Sequence, residues 1–306
     1  MDRFEAMRTL LAAVDGGSLS AASRSLGVPL PTVSRRVSDL EAYLSAQLVV
    51  RTSRKLLLTE AGQSYVASCR RVLEELGEAE RIAASEYRIP RGDMLLTAPI
   101  MFGRMHVEPV VLDFLKTYPE INVRLILTDQ VIDMIENHVD LAVRIGHLPD
   151  SNLVATRLGA VRWTTCASPD YLAERGTPRT LEDLAAHDCI AFERLNTTGA
   201  WTFQKGKETV TLPFHPRFAV NTADGAIDAA LKSAGIARIL SYQAAEAIAE
   251  GRLVEVVTDF QPAPLPVQLV HTGQAITPLK VRAFSEFATP RLRAVLAGDA
   301  QSIRSL

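Results

Sequence analysis

Cysteine is scarce in this chain, and the little there is excludes two chemistries. Cys69, Cys166 and Cys189 stand far apart and odd in number among 306 residues. Neither a disulfide framework nor a zinc site has that spacing, so buried free thiols are expected. Long apolar runs are also missing: nothing reaches the roughly 18 uncharged residues of a membrane span. The first residues, Met1 to Glu5, are polar and lead into an amphipathic pattern instead of the apolar stretch of a secretory leader. A cytoplasmic chain with no membrane contact is therefore expected. Catalytic signatures are absent as well. The six histidines never take H-E-x-x-H spacing, and no G-x-S-x-G elbow, phosphate loop or dinucleotide fingerprint occurs. Neither an enzyme nor a bound metal or cofactor is expected. What remains is the composition of an ordinary globular protein, 47% apolar and 22% charged, long enough for one small and one large domain.

A net charge of −2 looks unsuited to binding nucleic acid until it is followed along the chain. Residues 1–58 hold eight Lys/Arg against five Asp/Glu, so the head is basic and the body acidic. Within that head Phe4, Met7, Leu10, Leu11 and Val14 recur at helical spacing, and Gly16-Gly17 ends the helix. Ser20 is placed to cap a second helix that carries Ala21, Ala22 and Leu26 and stops at Gly27. Pro29-Leu30-Pro31 opens a third, because proline is tolerated only in a first turn. Its apolar stripe is Val33, Val37, Leu40 and Leu44. Off the stripe lie Thr32, Ser34, Arg35, Arg36 and Ser38.

Three short helices with a glycine turn before the last make a helix-turn-helix. The third would enter the major groove of double-stranded DNA, where guanidinium groups bind phosphate or the guanine edge. A small helical bundle with a solvated polar face is the alternative. Leu48 to Arg51 and Leu56 to Thr59 read as two strands around a turn at Thr52 to Lys55, a wing that brings Arg51, Arg54 and Lys55 towards phosphates. From Thr59, as N-cap, a long helix runs to about Arg88. Gly62, Cys69, Leu76 and Ala83, interleaved with Val66, Leu73 and Glu80, form an imperfect heptad seam suited to a dimer, unless it packs on its own domain.

These blocks resemble a known pattern. Ser18-Leu19-Ser20-Ala21-Ala22, Val33-Ser34-Arg35-Arg36, Asp39-Leu40-Glu41, Arg51-Thr52 and Leu58-Thr59-Glu60-Ala61-Gly62, in that order and at those gaps, are similar to the N-terminal signature of LysR-type transcriptional regulators. Pro29 and Leu30 stand where many members have Ser and Gln, so apolar contact replaces polar readout at Leu30. The resemblance implies DNA contact through Leu30, Pro31, Thr32, Ser34, Arg35, Arg36 and the wing. It also implies assembly with copies of itself as a dimer and a tetramer, with RNA polymerase as a further partner.

The fold expected is an all-α winged helix-turn-helix domain over 1–58 and a linker or dimerisation helix over 59–89. An α/β domain of two lobes follows over 90–306, like a periplasmic binding protein. Pro90-Arg91-Gly92 marks the boundary. Met94 to Thr97, Val123 to Leu127 and Leu141 to Val143 read as strands. They alternate with helices from Gly103 to Tyr118 and from Val131 to Asn137, which implies a mostly parallel sheet. A second unit starts near Val161 to Cys166 and includes a helix start at Ser168-Pro169, a strand at Phe218 to Asn221 and a helix from Asp224 to Ala234. Val267 to His271 and the helix after Pro278 return to the first lobe.

Ligands of such sheets sit beyond the carboxyl ends of strands, near helix N-termini. That geometry selects Thr97, Ala98, Pro99, Phe102, Gly103, Thr128, Asp129 and Arg144 in the first lobe, facing Thr165, Ser168, Asn221 and Thr222 in the second. A small organic anion would suit helix N-termini and Arg144. The function expected is effector-modulated promoter binding. The alternative is a cytoplasmic solute-binding protein without a transcriptional role.

Overall fold

A computed structural model describes residues 1–51, 56–83, 89–148, 153–192, 200–214, 216–273 and 277–302. The chain divides into Met1–Arg88 and Ile89–Leu306.

In the first unit α1 (Arg3–Asp15), α2 (Leu19–Leu26) and α3 (Leu30–Leu44) precede β1 (Val49–Arg51), β2 (Leu56–Leu58) and α4 (Glu60–Ala83). Their apolar faces meet in two clusters that share Leu19 and Leu56, one of Ala6, Leu10, Val37, Leu40, Leu48, Val49 and Val66 and one of Ala13, Ala22 and Val33. Ser18, not Ser20, caps α2: its extended backbone lets Oγ accept from the Ala21 amide at 3.1 Å. The shift is needed because Leu19 packs against the head core and so belongs inside the first turn. Gly27 ends α2 with φ 66°, a left-handed conformation that costs glycine nothing, and so turns the chain tightly into α3. No side chain caps α3. Pro31 removes one amide that would need a cap, and the Pro29 carbonyl accepts from Thr32 N at 2.9 Å.

The wing pairs Val49 with Leu58 and Arg51 with Leu56. Thr59 caps α4, its Oγ1 accepting from Gly62 N at 2.9 Å. The expected heptad seam needs correcting at its start. Val66 belongs to the head's own core, with Tyr65 packed beside it, and Cys69 is buried. Burial holds the Cys69 thiol above its ordinary pKa. Leu73 and Leu76, further along, are half-buried. The continuation of the seam past Ala83 lies outside the described residues.

In the second unit the first lobe holds β3 (Gly92–Ala98) and then a helical run of α5 (Ile100–Phe102), a π turn at Gly103–Val107 and α6 (Glu108–Thr117). β4 (Ile121–Leu127), β5 (Leu141–Ile145) and β6 (Leu153–Val161) complete it. The helix begins before Phe102-Gly103, which therefore lie inside it. The helix expected over Val131 to Asn137 is instead a set of turns, tied by Asp133, whose carboxylate accepts from Ile135 N and Glu136 N at 2.8 Å. An aspartate that bonds the amides just after it favours a turn over a helix interior.

The second lobe runs through β7 (Trp163–Ala167), α7 (Pro169–Arg175), α8 (Leu181–Leu184), β8 (Cys189–Phe192) and the hairpin β9 (Ala200–Lys205) and β10 (Glu208–Pro213). It continues with β11 (Phe218–Val220), α9 (Ala223–Leu231), β12 (Ile236–Leu240), α10 (Ser241–Ala249) and β13 (Val254–Glu255). β14 (Leu265–Thr272) and α11 (Leu279–Ser302) return to the first lobe.

The sheets order as β4-β3-β5-β14-β6 and β11-β8-β12-β7-β13. Each has two parallel pairs followed by two antiparallel ones, so neither is mostly parallel. In the first lobe the cause is the double crossing: β14 borders the parallel set, β6 borders β14, and both link this lobe to the second. Arg162, between β6 and β7, clamps this crossing with paired bonds of 2.7 and 3.0 Å to the Glu255 carboxylate.

Candidate functional site

The outward surface of α3 is built by what its inner stripe buries. With Val33, Val37 and Leu40 fully buried, Pro31, Arg35 and Ser38 stand exposed at successive turns, and Leu30 is 43% exposed beside them. Thr32 and Ser34 are half-buried at its flank. Arg36 differs from Arg35. It turns towards α1 and pairs with Glu5, half-buried, so part of its charge is spent inside the head. Arg51 ends β1, while Arg54 and Lys55 lie outside the described residues. Such a helix presents one guanidinium and small side chains on a convex face, a shape that enters a major groove.

In the second unit, Pro99, Thr128, Asp129 and Arg144 come together around a cavity of about 290 Å³ beyond the ends of β3, β4 and β5. Much of its polar capacity is already engaged. Asp129 accepts from Ile100 N at 3.1 Å, which places a carboxylate at the helix terminus where an anion was expected. Arg144 donates to the Ile132 carbonyl at 2.9 Å, and the Thr128 hydroxyl accepts from Gln130 N at 3.1 Å. Thr97 and Ala98 are buried in β3, and the Thr97 hydroxyl has no hydrogen-bond partner among the described residues. Phe102 is wholly buried, edge-on to Tyr242 of the second lobe at 5.4 Å, and Gly103 is buried against Leu127 and Ala98.

The second-lobe candidates do not join this group. Thr165 is buried and accepts from Gln261 Nε2 at 3.2 Å. Ser168 caps α7 and shares a 2.9 Å bond with Ser233. Thr222 caps α9, and Asn221 is exposed just before it. Across the lobes Arg104 reaches Asp224 at 2.8 Å.

Sequence reasoning missed another cavity, of about 530 Å³, lined mainly by the second-lobe sheet and the β9–β10 hairpin, with His147 and Leu265 of the first lobe also in its wall. Arg238 lines it, only 6% exposed. Its guanidinium sits 4.8 Å from the centre of the Trp163 ring and 4.5 Å from that of Phe203. Nε and Nη2 have no hydrogen-bond partner among the described residues. An arginine inside an otherwise apolar strand was the signal available.

Comparison with known proteins decides what this arrangement belongs to. Residues 4–63 match the bacterial regulatory helix-turn-helix proteins of the lysR family, and residues 88–293 match the LysR substrate binding domain. The chain belongs to the LysR family of transcriptional regulators. It is 32% identical over 291 residues to a probable regulator named LtrA from Klebsiella pneumoniae, covering 94% of each chain. The structure of CrgA, a LysR-type regulator from Neisseria meningitidis, matches with TM-score 0.60 at 30% identity, over 94% of this chain and 98% of that one. AphB, a Vibrio cholerae virulence activator, matches with TM-score 0.60 at 28% identity over the same shares. This LysR-type regulator therefore joins a DNA-binding helix-turn-helix head to a substrate-binding, two-lobed effector domain. The solute-binding alternative, which lacks such a head, is not favoured.

Proposed function

We propose that this regulator reads promoter DNA with the exposed face of α3 and is switched by a small organic effector held between the lobes. The observation that carries the reading is the gathering of Pro99, Thr128, Asp129 and Arg144 around one cavity on the first-lobe side, at the strand ends where α/β sheets hold ligands. On the head, Arg35 is the base or phosphate contact, with Leu30 and Pro31 offering apolar contact to a thymine methyl. Arg51, Arg54 and Lys55 add phosphate contacts that do not depend on sequence. Two heads joined through the later part of α4, where Leu73 and Leu76 are half-buried, fit a partly palindromic site with half-sites ~34 Å apart. A tetramer would extend the contact to two such sites, and the chain would act on RNA polymerase at the promoter.

Effector binding works as a switch only if one arrangement of heads binds it more tightly than the other. A coupling of about 1–3 kcal/mol suffices to shift promoter occupancy. The test is a nuclease footprint on DNA upstream of the encoding gene, with small organic acids that raise the melting temperature. The footprint should change length under saturating effector. An unchanged footprint contradicts the switch.

A further inference from the structure

Burying a charged group away from water costs several kcal/mol unless a partner compensates it. Among the described residues, buried Lys280 has Asp140 and the Asp93 carbonyl, and half-buried Arg162 has Glu255. Arg238 is the exception. It makes no ion pair and no hydrogen bond among the described residues, and two of its nitrogens are shielded from water. The rings of Trp163 and Phe203 supply cation–π attraction, which offsets part of the cost but leaves the N–H donors unused. Burial also pushes the guanidinium down to about 10, still charged at neutral pH. A guanidinium held in this way is a prepared anion receptor.

The surroundings define the rest of the ligand. Trp163, Phe192, Trp201, Phe214 and Leu265 line the same cavity, which at about 530 Å³ has the size of a small-molecule site. Thr202, Gln204 and Thr209 on the hairpin add a few neutral polar groups, and none of the described lining residues is acidic. We propose that the second lobe carries a carboxylate site, in which Arg238 takes the anionic head of a small acid whose aromatic or aliphatic body fills this cavity. The site does not rest on the crevice reading above. His147 is the one residue that lines both this cavity and the first-lobe one.

The chain supplies its own reporter, because its two tryptophans, Trp163 and Trp201, both line the cavity. Phenylacetate and its neutral amide, titrated into the full-length protein, should separate the charge from the ring. Phenylacetate should change the tryptophan emission saturably, with the amide binding about tenfold or more weaker, since a hydrogen bond to a charged group is worth that much. Arg238→Gln should abolish the preference while melting at or above the parent temperature, because it removes an uncompensated charge. Arg238→Lys should retain part of it. Equal binding of acid and amide, no response up to about 10 mM, or undiminished phenylacetate binding by Arg238→Gln each overturns the proposal. Should the glutamine variant not fold, the acid–amide comparison on the parent protein decides alone.

Discussion

Gly62 offers a test in which two ordinary rules predict opposite signs. In an exposed helix, replacing glycine with alanine gains about 1 kcal/mol from the smaller loss of backbone freedom. Here an added Cβ would stand 1.9 Å from the Leu48 carbonyl oxygen and 2.9 Å from its carbon. A carbon and a carbonyl oxygen approach comfortably to about 3.3 Å, so α4 or Leu48 must yield by more than an ångström. Leu48 cannot move freely. Its side chain is buried, its amide donates to the Glu41 carboxylate at 2.8 Å, and its carbonyl accepts from Thr59 N at 3.0 Å. Overpacking against fixed backbone belongs at the upper end of the usual 1–3 kcal/mol, so Gly62→Ala should destabilise the head by about 2 kcal/mol net. Urea denaturation read by far-ultraviolet circular dichroism and by tryptophan emission separates the units, since both tryptophans lie in the effector unit. The helical signal should fall at lower urea in the variant while the emission transition stays in place. A variant head more stable than the parent would refute the close packing of α4 on the Leu48 backbone.

Two further perturbations probe other parts of the molecule. Lys55→Ala should weaken binding to all duplexes alike and lower the salt slope by about one, measured by fluorescence anisotropy across a salt series; unaltered slope removes Lys55 from the wing contact. His187, within 3.2 Å of the Tyr171 hydroxyl, is held below its ordinary value of 6.5 by burial and then by nearby Arg175, with Asp183 and Asp188 opposing. The unfolded chain therefore binds this proton at higher pH than the folded one, and stability falls as pH drops through and below 6.5. Melting curves on either side of that pH should show the loss, and His187→Asn should lessen it. A variant as acid-sensitive as its parent would dismiss the role of His187.

The head was readable because its physics is local. Proline in a first turn, glycine at a left-handed stop and apolar residues three and four apart each act over a few positions. Ser18 replaced Ser20 as the cap because Leu19 had tertiary packing to satisfy, which spacing alone does not reveal. The same reason altered the seam of α4: Val66 and Cys69 look identical to dimer positions until the head is seen to need them. In the first lobe the parallel strands β3, β4 and β5 were legible as apolar runs. β6, β8, β12 and the β9–β10 hairpin were not recognised, since their pairing depends on partners far away in sequence. Pro99, Thr128, Asp129 and Arg144 do meet around one cavity, while Phe102 and Gly103 do not line it, and hydrogen bonds within the lobe engage several of the four. Thr165, Ser168 and Thr222 have structural duties as well. Arg238 passed unnoticed because its meaning lies in what does not surround it, a property of packing alone.

The exposed face of α3 is proposed to read DNA sequence, and Arg35→Ala is the sharpest probe of that role. Anisotropy titrations should compare duplex from upstream of the encoding gene with a scrambled duplex of equal length. Loss of a base contact should cost about 1–3 kcal/mol on the first duplex and much less on the second, collapsing the difference between them. A variant that still distinguishes the two duplexes as well as the parent would contradict the account.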